Sequence, residues 1–125
     1  MLLMLNVSHA VNAYKQTVTA TATPLDLVIM LYEGAIDSID KSVTAINNKD
    51  IHAKIRYIDK SIKIIEELLY SLNLEIGGEI AYNLQDLYLH MMLNLTIANG
   101  LNDASKARHV ESLLKELLEG WKHIR

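Results

Sequence analysis

Residues 51–72 read IHAKIRYIDKSIKIIEELLYSL, and within them Ile51, Ile55, Ile58, Ile62, Ile65, Leu69 and Leu72 recur at alternating spacings of four and three. That period lays one apolar seam along a helix and suits packing against the neighbouring helices of a bundle. Asn47-Asn48-Lys49-Asp50 breaks the pattern on the upstream side, and Asp50 stands where a helix cap belongs.

Upstream of the break, Thr23, Pro24 and Asp26 form a helix start: a hydroxyl cap, a proline at the first helical position and a carboxylate at the third. From there Leu25, Val28, Tyr32, Ala35, Ile39, Val43 and Ile46 recur every three or four residues. Downstream, Gly77-Gly78 ends a connection, and a third helix is predicted from about Glu79 to Asn99. Ile80, Leu84, Leu87, Met91, Leu95 and Ala98 face inward on it, and Gly100 is its cap. Asn102-Asp103 opens a fourth helix, with Ala107, Val110, Leu114, Leu117, Trp121 and Ile124 inward and Arg108, Glu111, Lys115, Glu119 and Lys122 toward water. Short links favour antiparallel neighbours, so the expected fold is all-α: an antiparallel up-down four-helix bundle over residues 23–125. Residues 1–22 are expected to form an N-terminal segment, where Val7, Val11 and Tyr14 at helical spacing allow a short helix that covers a groove.

The composition agrees. The chain has 125 residues, 50% of them hydrophobic and 22% charged, with five glycines and one proline. That is the make-up of one globular domain with few turns. A net charge of −3 supplies no basic surface for a phosphate backbone, which argues against a nucleic-acid partner. There is no cysteine, hence no disulfide, thiolate nucleophile or cysteine zinc site, a usage compatible with a reducing cytosol. The opening MLLMLN has no positive flank and is too short for a signal peptide or a membrane span.

Catalysis and metal binding find no candidate. A di-iron bundle needs Glu-x-x-His pairs, but the residues three before His9, His52, His90, His109 and His123 are Asn6, Lys49, Leu87, Lys106 and Gly120. Asp86 and His90, one turn apart, read as a surface hydrogen bond. No phosphate-cradling glycine loop or nucleophile elbow is present, and no cofactor is expected. His52 with Lys54 is a weak match to a phosphoacceptor site, crowded by Arg56 and Tyr57, and reads as a solvated histidine.

Surplus apolar surface is the feature left over. At 100° per residue, Leu27, Met30 and Leu31 point away from the predicted core face of the first helix. Tyr57, Ile64 and Leu68 form a second stripe on the next helix, interrupted by Ser61. On the third, Leu89, Leu93 and Ile97 lie nearly opposite Met91 and Leu95. Each stripe would expose roughly 300 to 400 Å², more together than a monomer usually leaves bare. A partner, a second copy of the chain or the N-terminal segment is expected to cover them.

Several of these residues carry a resemblance. Val11-Asn12-Ala13-Tyr14, Thr23-Pro24, Leu27, Met30-Leu31-Tyr32 and Gly34-Ala35 resemble the opening of the flagellar export chaperones that guard flagellin, the FliS family. Gly77-Gly78-Glu79-Ile80-Ala81-Tyr82-Asn83-Leu84, Leu87-Tyr88, Met91, Leu95, Ala98-Asn99, Asn102-Asp103 and Trp121 continue the pattern in order and spacing. Leu93 and Asn94 stand where the family usually carries a basic pair.

The resemblance implies a cytoplasmic, non-enzymatic chaperone. It would bind the disordered C-terminal segment of flagellin in hydrophobic grooves, prevent premature polymerisation and deliver it to an export-gate membrane protein of the flagellar type III export apparatus. A cochaperone or another flagellar regulator is a further partner. The chain itself is not expected to be a membrane protein. On this reading Leu27, Met30, Leu31, Tyr57, Ile64, Leu68, Leu89, Leu93 and Ile97 line the flagellin-binding grooves, while Val7, Val11 and Tyr14 belong to the export-gate or groove-cover segment. The alternatives are a self-associating helical adaptor and a histidine phosphotransfer bundle built on His52.

Overall fold

A computed structural model describes residues 22–125 and folds them into four α-helices: α1 Pro24–Asn47, α2 Ile51–Tyr70, α3 Leu74–Leu101 and α4 Ala104–His123. Each begins where a side chain satisfies backbone N–H groups that have no partner within the helix. At α1, Thr23 Oγ1 accepts from Asp26 N at 3.1 Å and Asp26 Oδ2 accepts from Thr23 N at 3.1 Å, a reciprocal capping box. Asp50, Asn73 and Asp103 cap α2, α3 and α4 one-sidedly, their side-chain oxygens accepting from Ala53 N, Ile76 N and, at α4, from Ser105 N and Lys106 N.

Two helix ends differ from the sequence expectation. α3 begins at Leu74 rather than Glu79, and its first turn is broken from the rest at Gly78, whose φ of 55° and ψ of −133° only glycine adopts at little cost. Its C-terminal cap is Asn102, left-handed at φ 53°, rather than Gly100, which remains helical. Asn102 also offers its side-chain oxygen to Lys54 Nζ at 2.6 Å, a role glycine could not fill.

The helices neighbour one another in chain order, and α4 closes the ring against α1. Up-down topology follows from which ends meet. Arg125, beyond the end of α4, approaches Asp26 at the start of α1 at 3.5 Å. Lys54, in the first turn of α2, donates to the Asn99 carbonyl near the end of α3 at 2.9 Å. The expected antiparallel four-helix bundle is therefore the observed one.

The core follows the apolar periods, with shifts in helix rotation. α3 turns Ala81, Leu84, Tyr88, Met91, Leu95 and Ala98 inward, a regular three-four alternation that replaces Ile80 by Ala81 and Leu87 by Tyr88. Ile80 is exposed. On α2, Ile58 and Ile65 are buried as expected, whereas Ile51 and Ile55 at the upstream end of the seam are exposed. The buried line runs instead through Lys54, Ile58, Ser61, Ile65 and Leu68. Two polar residues can occupy it because both are satisfied: Ser61 Oγ donates to the Tyr57 carbonyl at 2.8 Å, and Lys54 has the acceptors already given.

On α4, Ile124 is exposed, Leu118 is buried where Leu117 was expected, and Glu111 lies in the core margin rather than in water. Its carboxylate takes Arg108 Nη1 at 2.8 Å and Lys115 Nζ at 3.7 Å, and the same Arg108 nitrogen reaches Asp40 of α1 at 2.8 Å.

At the centre, the Tyr32 and Tyr88 hydroxyls meet at 2.6 Å, and the Trp121 ring stands 6.2 Å from that of Tyr32. Burial raises the Tyr32 phenol to about 12, against the lowering effect of its hydrogen bonds, and burial likewise raises Tyr88 well above 10. A folded-state pKa above the unfolded one means that the native state holds the proton more tightly. The stabilisation is therefore complete below pH 10 and is lost as pH rises toward 12, by about 2 kcal/mol from Tyr32. Denaturant titrations from pH 9 to 12 should show this fall, and Tyr32→Phe should reduce it to the part owed to Tyr88 while costing about 1 kcal/mol at pH 7 through the orphaned Tyr88 hydroxyl.

Candidate binding surface

Each helix of a four-helix ring has two neighbours, and whether a second apolar stripe is covered depends on which flank it occupies. Leu27 and Leu31 on α1 are 3% and 0% exposed, and Ile64 and Leu68 on α2 are 8% and 1% exposed. These four expected groove residues belong to the core. They lie on the flanks that α1 and α2 turn toward each other, and the antiparallel run brings the first turns of α1 to the last turns of α2. The buried Ser38, Ser42 and Ala45 continue the same flank of α1 and, with Ser61, keep that seam thin. Met30 and Tyr57 stand at the outer margin of this seam, half-buried; the Lys41 ammonium lies 5.7 Å from the centre of the Tyr57 ring.

α3 differs. Its neighbours α2 and α4 cover the two sides of the inward face, and nothing among the described residues covers the side opposite. Leu89 and Leu93 are 49% and 59% exposed there, joined by exposed Tyr82 seven residues before Leu89. Ile97, half-buried, leads from this ridge into the seam with α4, where Leu113 and Leu117 are also half-buried. On the other side, half-buried Met92 of α3 and Ile62 of α2 lead to exposed Ile55 and Ile51. Tyr82, Leu89 and Leu93 with the shoulder toward α2 thus leave a run of apolar side chains in contact with water on one side of the bundle. Asn94 takes no part in it, since its side chain is buried.

Of the nine expected groove residues, the fold thus gathers Leu89, Leu93 and Ile97 on one face, places Met30 and Tyr57 on another margin, and buries the remaining four. Sequence reasoning missed Ile51, Ile55 and Tyr82. The two isoleucines were legible only as part of the supposed core seam. Val7, Val11 and Tyr14 lie outside the described residues.

No group of three or more histidine or acidic side chains suited to a metal ion occurs among the described residues, and none of their helices is long and apolar enough to cross a membrane. His52 is an exposed side chain on the first turn of α2. Fold and surface together define a four-helix scaffold with exposed apolar side chains on the outer side of α3. The chain belongs to the FliS family: residues 7–125 match the family described as flagellar protein FliS. Among its relatives are three proteins named flagellar secretion chaperone FliS. That of Salmonella typhimurium is 37% identical over 122 residues, covering 94% of this chain and 90% of the relative. That of Campylobacter jejuni is 34% identical over 115 residues, covering 92% and 90%. That of Bacillus subtilis is 33% identical over 116 residues, covering 93% and 86%. The family is one of chaperones, not enzymes.

Proposed function

We propose that this protein is a cytoplasmic export chaperone that binds the disordered C-terminal segment of flagellin, prevents its premature polymerisation and delivers it to an export-gate membrane protein of the flagellar apparatus. The observation that carries the reading is the outer face of α3, which no other described residue covers, where Tyr82, Leu89 and Leu93 are exposed. A disordered segment that folds on binding loses conformational entropy, and extended apolar contact offsets that cost better than a small deep pocket does. An amphipathic tail laying leucine-like anchors at i, i+3 and i+4 into the α2–α3 or α3–α4 shoulder would have Leu89, Leu93 and Ile97 as its floor and rim. Met30 and Tyr57 would contact a tail that continues around the bundle. The names of the curated relatives support secretion as the context. The N-terminal segment with Val7, Val11 and Tyr14 is assigned the export-gate contact or the cover of a groove.

Calorimetric titration of the chain with the C-terminal segment of its cognate flagellin tests the reading. Binding with a large negative heat-capacity change is expected, because apolar surface is buried as the tail orders. A well-folded chain that fails to bind, and that instead sediments as a dimer at nanomolar concentration, would assign the α3 face to self-association.

A further inference from the structure

His90 of α3 and His109 of α4 face each other across the seam with their Nε2 atoms 3.0 Å apart, ring planes at 88° and centroids 5.2 Å apart. Both side chains are exposed, and neither belongs to the apolar face. In the neutral pair one ring donates its N–H to the other. The sequence offered His90 only Asp86 as a partner; the fold supplies a second imidazole from 19 residues away.

We infer that this pair is a binding site for a divalent transition-metal ion of the copper, nickel and zinc type. Imidazole nitrogens bind such ions at about 2.0 to 2.1 Å, so two cis ligands at the roughly 90 to 95° of tetragonal copper or nickel stand about 3 Å apart, while tetrahedral zinc needs them opened to about 3.4 Å. The observed separation therefore equals the bite of a chelate before any backbone movement. Two changes are needed. The ring that carries Nε2–H passes that proton to its own Nδ1 through solvent, leaving one lone pair on each Nε2. Each exposed ring then swings so that the two lone pairs converge on the ion instead of on each other.

Nearby, the buried Asn94 amide nitrogen donates to the His90 carbonyl at 2.9 Å and stands 3.2 Å from His90 Nε2 and 3.3 Å from its Nδ1, so the His90 ring must turn away from Asn94 to bring its Nε2 lone pair onto the ion. Water completes the coordination sphere, because no third histidine or carboxylate joins the pair among the described residues. A two-ligand site of this kind is micromolar rather than structural, and copper and nickel are favoured over manganese or iron. An ion held there ties α3 to α4 beside the apolar face, since His90 lies one turn before Asn94 and next to Leu93 in the same helix.

The test uses the untagged full chain, stripped with a chelator, and Ni²⁺ or Zn²⁺ added to 1 mM at neutral pH. At about 100 times the dissociation constant the ion should raise the folding equilibrium constant about 100-fold, a rise in Tm of several degrees that excess chelator reverses. His90→Ala and His109→Ala, both at exposed positions, should fold normally and each lose the rise. Titration calorimetry should show one site per chain that is absent from both variants. No rise in the parent chain, or a rise that either variant retains, would overturn the assignment and leave adventitious binding at His9, His52 or His123 as the explanation.

Discussion

Leu93→Glu is expected to weaken binding of the flagellin C-terminal segment about 100-fold while leaving the free protein as stable as before. Leu93 is 59% exposed among the described residues and sits at the middle of the outer α3 face, between Leu89 one turn earlier and Ile97 one turn later. In the free chain a glutamate there points into water, where surface substitutions usually stay within about 0.5 kcal/mol. In the complex the same carboxylate would lie under an apolar helix, losing the leucine contact and desolvating a charge. For a central anchor that amounts to about 2 to 3 kcal/mol, which is the stated factor. Titration calorimetry gives the affinity and thermal unfolding gives the control. Unchanged affinity in the folded variant would remove the α3 ridge from the tail-binding surface.

Leu68→Glu should behave in the opposite way and yield no stable fold at all. The sequence places Leu68 in the same kind of outer stripe as Leu93, yet it is 1% exposed, on the α2 flank that meets α1. Removing a buried leucine forfeits about 2 to 3 kcal/mol of burial, and an unpaired carboxylate in its place costs several more. Against a total stability of about 5 to 15 kcal/mol for a domain of this size, little would remain. Far-ultraviolet circular dichroism and a thermal scan decide it. A cooperatively folded Leu68→Glu protein would show that this flank faces water. The two glutamate variants together separate a surface stripe from a core stripe that the sequence renders alike.

That pair also marks where sequence reading stopped. Helix number, capping residues and the links at Asn47–Asp50 and Asn102–Asp103 are local features, set by side chains within three or four residues of the backbone groups they satisfy. The start signals at Thr23, Asp50 and Asp103 were legible and the structure keeps them, whereas Asn73 and Asn102, which cap the two ends of α3, were not read as its caps. The apolar face of α3 was also legible, because Leu89 and Leu93 lie so nearly opposite Met91 and Leu95 that no rotation placing the core seam inward could cover them. The stripes on α1 and α2 were misread for a geometric reason. They lie on flanks that become interior if a neighbouring helix stands there and exterior if it does not.

By itself, then, the sequence determined an all-α chain of four capped helices with an apolar excess on the third, because hydrogen-bond satisfaction at helix ends and the 3.6-residue period are properties of short segments. Only the tertiary structure decided how far each helix is turned about its axis. Lys54 lies on the buried line of α2 although it carries a charge, because the Asn99 carbonyl and the Asn102 side chain arrive from the far end of α3 to accept its hydrogen bonds. Ile51 and Ile55 are left outside in consequence. Hydrophobicity ranks side chains by what they would gain from burial, whereas the partners that make a polar residue tolerable inside, and the neighbour that covers one flank rather than the other, come from segments distant in the chain.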